Sequence, residues 1–419
     1  MSSRGAIRVP GDKSISHRAL ILASLATGRS RIRGILESAD VHSTAVVLRS
    51  LGAALPTLSG DFETTGRGLR GLTRSHSPLQ CGNSGTTARL IAGLVAAYPY
   101  SSRFEGDASL SRRPMRRIAE PLTAMGARFE FDRGDGLPMT VHGGRLAGIS
   151  WDTRAASAQT KSAILMAALV GGTHASVREA GKSRDHTERL LRFLGVPLET
   201  TGDVVQLSPV ASFDGFDLEI PGDPSSAAYL AALGTLLPRT RVAMNRVCIN
   251  RTRIGFLSAL QSMGGSVEYK NVGNHAGEEI ATVNVATSRL RAHAFTARDV
   301  PAMIDELPLL GCVAAAAGIE LNVTGAGELR VKESDRITAL ALNLRAIGAE
   351  ASELPDGFRI VGSRRPLAGK VTTYSDHRIA MAFGILAALP GNRIEIDDRE
   401  CVSISYPGFW TDVEAITQR

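Results

Sequence analysis

The chain has 419 residues and a formal net charge of +7, with apolar residues at 43% and aromatics at only 5%. That length exceeds what one domain usually holds and predicts two, and so few aromatics argue against a stacking platform for single-stranded nucleic acid. The basic excess suits an anionic partner, but it is spread along the chain without a long unbroken run, which argues against a nucleic-acid-binding arm.

Cys81, Cys248, Cys312 and Cys401 lie far apart, with neither CxxC nor Cys/His metal spacing. They read as reduced thiols of a cytosolic protein, and no metal is expected. The start of the chain has no charged-then-apolar leader pattern, and no apolar run reaches membrane-spanning length, so a cytoplasmic protein is expected.

In chain order the pattern repeats six times. Ala/Leu-rich helical segments run over His17–Thr27, Thr86–Tyr98, Lys161–Val170, Ser226–Leu237, Glu306–Ala317 and Arg378–Leu389, each closed by Gly or Pro. A short alternating strand follows each: Ser30–Arg33, Ser102–Glu105, Ala175–Arg178, Arg241–Met244, Glu320–Val323 and Arg393–Ile396. In five of the six units a second helix ends in a shared pattern: Leu51-Gly-Ala, Met125-Gly-Ala, Leu194-Gly-Val, Met263-Gly-Gly and Ile347-Gly-Ala. Glycine there supplies the left-handed residue that closes a helix. The expected unit is strand–helix–strand–helix–strand–strand. The Ala-rich helices lack a clear polar face and are expected to be buried within sheets. The sixth unit lacks its second helix. A chain that begins in one lobe, leaves for the other and returns would account for that, with crossings near Pro10–Gly11 and Pro221–Gly222. The expected lobes are 1–11 with 222–419, and 12–221.

The residues that open the six helices are unusually polar. They read Gly11-Asp-Lys-Ser-Ile-Ser-His-Arg18, Gly82-Asn-Ser-Gly-Thr-Thr-Ala-Arg89, Ser157-Ala-Gln-Thr-Lys161, Asp223-Pro-Ser-Ser226, Asp305-Glu306 and Ser375-Asp-His-Arg378. Any one of them is an ordinary Ser/Thr/Asp cap. Capping does not call for cations, and the helix dipole disfavours them at a helix start. Several helix starts bearing Lys or Arg therefore point to phosphate or carboxylate sites. Gly66-Arg-Gly-Leu-Arg-Gly71 fits a dinucleotide-loop pattern, but no periodic helix follows it. Neither His186 nor His377 has a second His at ligand spacing.

These segments resemble the signature motifs of the 5-enolpyruvylshikimate-3-phosphate (EPSP) synthase family. The likeness runs from Pro10 to Pro407 and rests above all on Pro10-Gly-Asp-Lys-Ser-Ile-Ser-His-Arg-Ala19 and Arg330-Val-Lys-Glu-Ser-Asp-Arg336. The resemblance implies an α/β fold, a two-lobed inverse α/β barrel of six repeats. It implies transfer of the enolpyruvyl group of phosphoenolpyruvate to the 5-hydroxyl of shikimate-3-phosphate, with no cofactor. The expected partners are these two small substrates, taken by a monomer, with no nucleic acid and no membrane. Within the family, the motifs from Ser157 to Lys161, Arg184 to Glu188 and Asn250 to Arg253 point to the second class.

By the same resemblance, Lys13, Ser14, Arg18, Ser157, Ala158, Gln159, Arg184, Asp305 and Lys332 would hold shikimate-3-phosphate. Lys13, Gly85, Arg113, Gln159, Arg336 and Arg378 would hold phosphoenolpyruvate. The lobe 12–221 would be the shikimate-3-phosphate side and the other the phosphoenolpyruvate side, with ligand drawing the two together. The chemistry needs two separated acid/base groups. Asp305 is the candidate at the attacking hydroxyl, and Glu333 with Lys13 at the methylene carbon. A plain i,i+3 salt bridge to Arg336 is the competing reading of Glu333.

Ile404 stands where the family has a late active-site Lys, with Arg399 nearby as a substitute, and Glu328 stands where many relatives have Asn. A related transferase acting on UDP-N-acetylglucosamine normally has a reactive Cys before the Arg-Pro dipeptide; here Asp107-Ala-Ser-Leu-Ser-Arg-Arg-Pro114 has Ala108. An RNA-binding protein is the alternative of another class, and it leaves Asp305 and Glu333 without a task. The family's inhibitor glyphosate would meet open space beside Gly85, which favours sensitivity. Leu90 and the second-class motifs favour tolerance, so intermediate sensitivity is expected.

Overall fold

The computed structural model describes residues 7–154, 156–363 and 365–418. The chain divides into two compact units. The first holds Gly11–Ile220 and the short segment His275–Glu278; the second holds the chain up to Pro10, Pro221–Asn274 and Glu279–Arg419. Each has its own hydrophobic core, one drawn from residues between Ile15 and Ile220, the other from Val9 and from Ala227 to Ile416.

The first unit opens with α1 (Lys13–Leu25), β1 (Arg29–Arg33), α2 (Ala39–Ser50) and β2 (Phe62–Thr65). Its second repeat is β3 (Leu79–Gln80), α3 (Gly85–Val95), β4 (Ser101–Glu105), the short α4 (Ala108–Ser111), α5 (Arg116–Ala124), β5 (Arg128–Phe131) and β6 (Met139–His142). Its third is β7 (Ile149–Asp152), α6 (Ala158–Gly171), β8 (Ala175–Arg178), α7 (His186–Phe193), β9 (Leu198–Thr201) and β10 (Val204–Leu207), after which β11 (Asp217–Glu219) closes the unit.

The second unit begins with α8 (Pro224–Leu236), β12 (Arg241–Cys248), α9 (Gly255–Ser262), β13 (Ser266–His275) and β14 (Glu278–Ala286). Then come β15 (His293–Phe295), α10 (Leu307–Ala317), β16 (Glu320–Val323), α11 (Arg336–Ala346), β17 (Glu350–Leu354) and β18 (Gly357–Val361). The sixth repeat is β19 (Ala368–Val371), α12 (His377–Ala387) and β20 (Arg393–Ile396), followed by α13 (Phe409–Thr417).

The complete repeats share one sheet plan. The strands on either side of the first helix pair in parallel, as in β3–β4, β7–β8 and β15–β16, and a hairpin adds two antiparallel neighbours. The incomplete repeats borrow. β1 takes its parallel partner β11 from the far end of the first unit. β12 is bridged in parallel by Ile7, whose N–H donates to Ala243 O at 2.8 Å and whose carbonyl accepts from Asn245 N at 2.9 Å. In the sixth repeat α13 stands where a second helix was missing from the pattern, and its Phe409 meets the Tyr229 ring of α8 edge-on at 5.6 Å.

The glycine that follows each second helix is left-handed in all five cases, with φ of 83° at Gly52, 117° at Gly126, 74° at Gly195, 93° at Gly264 and 92° at Gly348. The Ala-rich helices are buried along nearly their whole length, α6 from Thr160 to Val170 without a break. Small residues make that possible: a Cβ on Gly93 of α3 would stand 2.3 Å from the Ala163 carbonyl of α6. Beyond the two Pro-Gly junctions, the division sets apart His275–Glu278, the turn between β13 and β14, which no sequence feature marks.

Candidate active site

Within the first unit, most of each polar opening lies inside its helix, since α1, α3 and α6 begin at Lys13, Gly85 and Ala158, just after their caps. The first helix begins at Lys13, not His17, because buried Asp12 caps it and accepts from Ile15 N at 2.8 Å. Lys13 and Ser14 thus sit on its first turn, and Lys13 Nζ donates to Asp40 Oδ2 at 3.1 Å. Arg18 is buried one turn further on. Its Nε donates to Thr187 Oγ1 at 2.6 Å, Nη2 to Ser162 Oγ at 2.8 Å and Nη1 to the Ser14 carbonyl at 2.9 Å. His17, beside them, is fully buried; burial, then Lys13 and Arg18, hold its pKa well below the usual 6.5. Its Nδ1 lies 2.6 Å from Thr44 Oγ1, which in turn lies 2.6 Å from Thr87 of α3.

The start of α3 is tied to the start of α6. Ser84 caps α3, and Ser157 caps α6 by accepting from Thr160 N at 3.3 Å. Gln159 accepts from Arg89 Nη1 at 2.7 Å and donates to Thr86 Oγ1 at 3.0 Å. Arg89 also donates to the Pro114 carbonyl at 3.1 Å. Arg113, mostly buried, donates to Asn83 Oδ1 at 2.6 Å and Ser109 Oγ at 3.2 Å. The space beside Gly85 is not open as expected: a Cβ there would stand 2.8 Å from Arg89 Nη1 and 3.4 Å from Arg113 Nη1. Arg184 is half-buried just before α7, two residues ahead of its first residue. Lys13, Ser14, Arg18, Gly85, Arg113, Ser157, Ala158, Gln159 and Arg184 therefore all belong to one unit, at or beside helix starts.

In the second unit, Arg336 opens α11 and is almost completely buried. Its Nη2 donates to Glu333 Oε2 at 2.6 Å, Nε to Asp376 Oδ2 at 2.9 Å and Nη1 to Asp305 Oδ1 at 3.3 Å. Burial alone would lower the pKa of this guanidinium; Asp376, Glu333 and Asp305 outweigh it and raise it. Lys332 Nζ also reaches Asp305 Oδ1, at 3.2 Å. The salt-bridge reading of Glu333 is thus realised, and the same bridge fixes its carboxylate. Asp376 caps α12 by accepting from Arg378 N at 2.9 Å and accepts from Ser334 Oγ at 2.9 Å. Arg378 is buried with Nη1 3.5 Å from Glu306 Oε1. Asp305, Lys332, Glu333, Arg336 and Arg378 thus form one charged cluster at the starts of α10, α11 and α12.

Arg399 is engaged elsewhere, with its guanidinium carbon 3.8 Å from the centre of the Trp410 ring. Ile404 packs against the apolar core. Among residues that sequence reasoning missed, Arg89, Asn83, Asp376 and Glu306 are the most involved. Arg89 carried a signal as one more cation at a helix start; the others resembled ordinary caps. Among the described residues no cluster of His, Cys, Asp and Glu could hold a metal ion, and no helix is long and apolar enough to cross a membrane.

The family model for EPSP synthase (3-phosphoshikimate 1-carboxyvinyltransferase) matches residues 2–413. A 3-phosphoshikimate 1-carboxyvinyltransferase of Sulfurihydrogenibium sp. (strain YO3AOP1) is 43% identical over 420 residues, covering 99% of this chain and 97% of the relative. One from Thermotoga neapolitana is 43% identical over 413 residues, covering 98% and 97%. Among solved structures, EPSP synthase from Acinetobacter baumannii superposes with a TM-score of 0.84 at 37% identity, covering 98% of this chain and 95% of that one. The enolpyruvyl transferase NikO from Streptomyces tendae, at 18% identity and a TM-score of 0.73 over 99% and 94%, shares the fold.

Proposed function

The chain belongs to the EPSP synthase family, and we infer from that premise that it transfers the enolpyruvyl group of phosphoenolpyruvate to the 5-hydroxyl of shikimate-3-phosphate, releasing inorganic phosphate. The single observation that carries this is likeness along the whole chain, 43% over 99% of its length to a transferase of that name. The reaction serves aromatic amino-acid biosynthesis through the shikimate pathway.

The role of each residue follows from the charge it carries. The substrates bring a carboxylate and a phosphate on one side and a carboxylate and a phosphate on the other, so cations are needed to hold them. Lys13, Arg18 and Arg184, with Ser14, Ser157, Gln159 and the Ala158 backbone, are assigned to phosphorylated shikimate. Arg113, Arg336 and Arg378, with Lys13, Gln159 and the small Gly85, are assigned to phosphoenolpyruvate. Asp305 takes the proton of the attacking hydroxyl as it bonds to C2 of the enol, while Lys332 reaches the substrate hydroxyls. Glu333 and Lys13 deliver a proton to the methylene carbon. Loss of a methyl proton back to that pair restores the double bond as the C–O bond to phosphate breaks, and Asp305 passes the hydroxyl proton it took to the departing phosphate, so protons and charge balance over the cycle. The fixed carboxylates of Asp305 and Glu333, each bonded to Arg336, support acid/base work at set positions.

We assign the chain to the second class of the family on Ser157-Ala-Gln-Thr-Lys161, Arg184-Asp-His-Thr-Glu188 and Asn250-Arg-Thr-Arg253. We also take it as a monomer, and as working in the cytoplasm, a location supported by four cysteines that are all free and buried. The test of the reaction is phosphate release with both substrates present and each omitted in turn. Release needing both supports the assignment; release with phosphoenolpyruvate alone, or none with the pair, overturns it.

A further inference from the structure

Lys161 occupies the first turn of α6, where the helix dipole disfavours a cation, and it is 1% exposed. Its Nζ lies 2.6 Å from Glu179 Oε2 and 2.5 Å from Glu188 Oε1. Burial works against the charge on this ammonium, and the two carboxylates outweigh it and raise its pKa. Three pieces of chain meet at this one charge: α6, the residue directly after β8, and the first turn of α7.

The loop between those two carboxylates carries Arg184. Just before Arg184, Ser183 Oγ donates to Glu179 Oε1. Just after it, Thr187 accepts from Arg18 Nε at 2.6 Å and lies 2.7 Å from Ser162 Oγ of α6. Both ends of the Arg184 loop are therefore pinned: one through Glu179, which Lys161 holds, and the other through Thr187, whose chain neighbour Glu188 is also held by Lys161. Two buried carboxylates facing each other without the ammonium would repel and part, and the loop would part with them.

We propose that Lys161 is a positioning residue for the phosphorylated substrate: its bridge to Glu179 and Glu188 presets Arg184 and Arg18 without itself touching the ligand. The proposal rests on the assignment of those two arginines above. It predicts a loss confined to one substrate, because Arg113, Arg336 and Arg378 are held by other partners.

The experiment uses the full chain and measures both KM values, kcat and the melting curve. Lys161→Met alone risks misfolding, so the decisive variant combines Lys161→Met with Glu179→Gln and Glu188→Gln, which keeps volume and removes all three charges. We expect it to fold, to raise the KM for shikimate-3-phosphate about 10- to 100-fold, and to leave the KM for phosphoenolpyruvate close to wild type. Lys161→Arg should restore part of the loss if the bridge is what matters. Arg184→Ala serves as the control. If Arg184→Ala leaves the KM for shikimate-3-phosphate unchanged, the substrate assignment fails. If Arg184→Ala raises it and the folded neutral variant does not, or raises both KM values alike, the positioning role of Lys161 is wrong.

Discussion

Gly85→Ala tests the phosphoenolpyruvate assignment with a single methyl group. The new Cβ would stand 2.8 Å from Arg89 Nη1 and 3.4 Å from Arg113 Nη1. To reach even the tighter ordinary contact of 3.4 Å, Arg89 must retreat by the difference, 3.4 − 2.8 = 0.6 Å. That retreat strains its bonds to Gln159 at 2.7 Å and to the Pro114 carbonyl at 3.1 Å. Overpacking of this kind costs about 1–3 kcal/mol. The yielding atoms are ends of flexible side chains, so the lower half of that range applies. At about 1.4 kcal/mol per tenfold, the expected effect is about 5- to 25-fold on whatever ligand needs the arginines closest to Gly85. Glyphosate is longer than phosphoenolpyruvate and bears most of it. The wild type should show intermediate sensitivity. In Gly85→Ala the inhibition constant should rise by about tenfold, while the KM for phosphoenolpyruvate changes by less than about threefold. Steady-state phosphate release with glyphosate varied against phosphoenolpyruvate yields both constants. Equal rises in the two, or a wild type already as resistant as the variant, would refute the steric argument.

Lys13→Ala and Arg113→Ala should each lower kcat/KM by roughly 10²–10³-fold with melting temperatures near wild type, since each removes a charge-assisted contact. Arg378→Ala should lose activity comparably and stability as well, because Glu306 is left buried beside no guanidinium; melting curves separate the two effects. Arg336→Met leaves Asp376, Glu333 and Asp305 around an apolar side chain and should cost about 3–5 kcal/mol in urea unfolding. Stability should also fall in mild acid. The unfolded chain takes up a proton at His17 near 6.5 while the folded chain resists it, so this contribution is complete above that value and is lost as the pH drops below it. Melting temperatures from about pH 7.5 to 5 should slope downward in the wild type and less so in His17→Gln.

Much of the fold was legible because its signals are local. Gly52, Gly126, Gly195, Gly264 and Gly348 mark helix ends by a backbone requirement that no neighbour alters. The strand after each buried helix follows from alternation over a few residues. The site was legible to the extent that its cations stand at helix starts, where chain chemistry alone makes them unusual. What could not be read was pairing across distance. Nothing in the chain brings Glu179 and Glu188 to Lys161, or Asp376 to Arg336, short of the tertiary packing inside each unit. The same holds for Arg399, whose stacking on Trp410 depends on how α13 docks. It holds for Gly85 too, where the neighbour that fills the space is one helical turn further along α3, turned back by its bond to Gln159.

The borrowed strands set an order of events on the ribosome. β1 waits for β11, but both are made before any of the second core except Val9, so the first core can consolidate while synthesis continues. Ile7 is made before Gly11–Ile220, and its mate β12 only after that whole stretch. Until β12 is made, the N–H and carbonyl of Ile7 lack the Ala243 and Asn245 partners they have in the finished sheet, and an unpaired edge of that kind is open to pairing with another chain. In two units threaded this way, a residue made ahead of the first completes a sheet edge of the second.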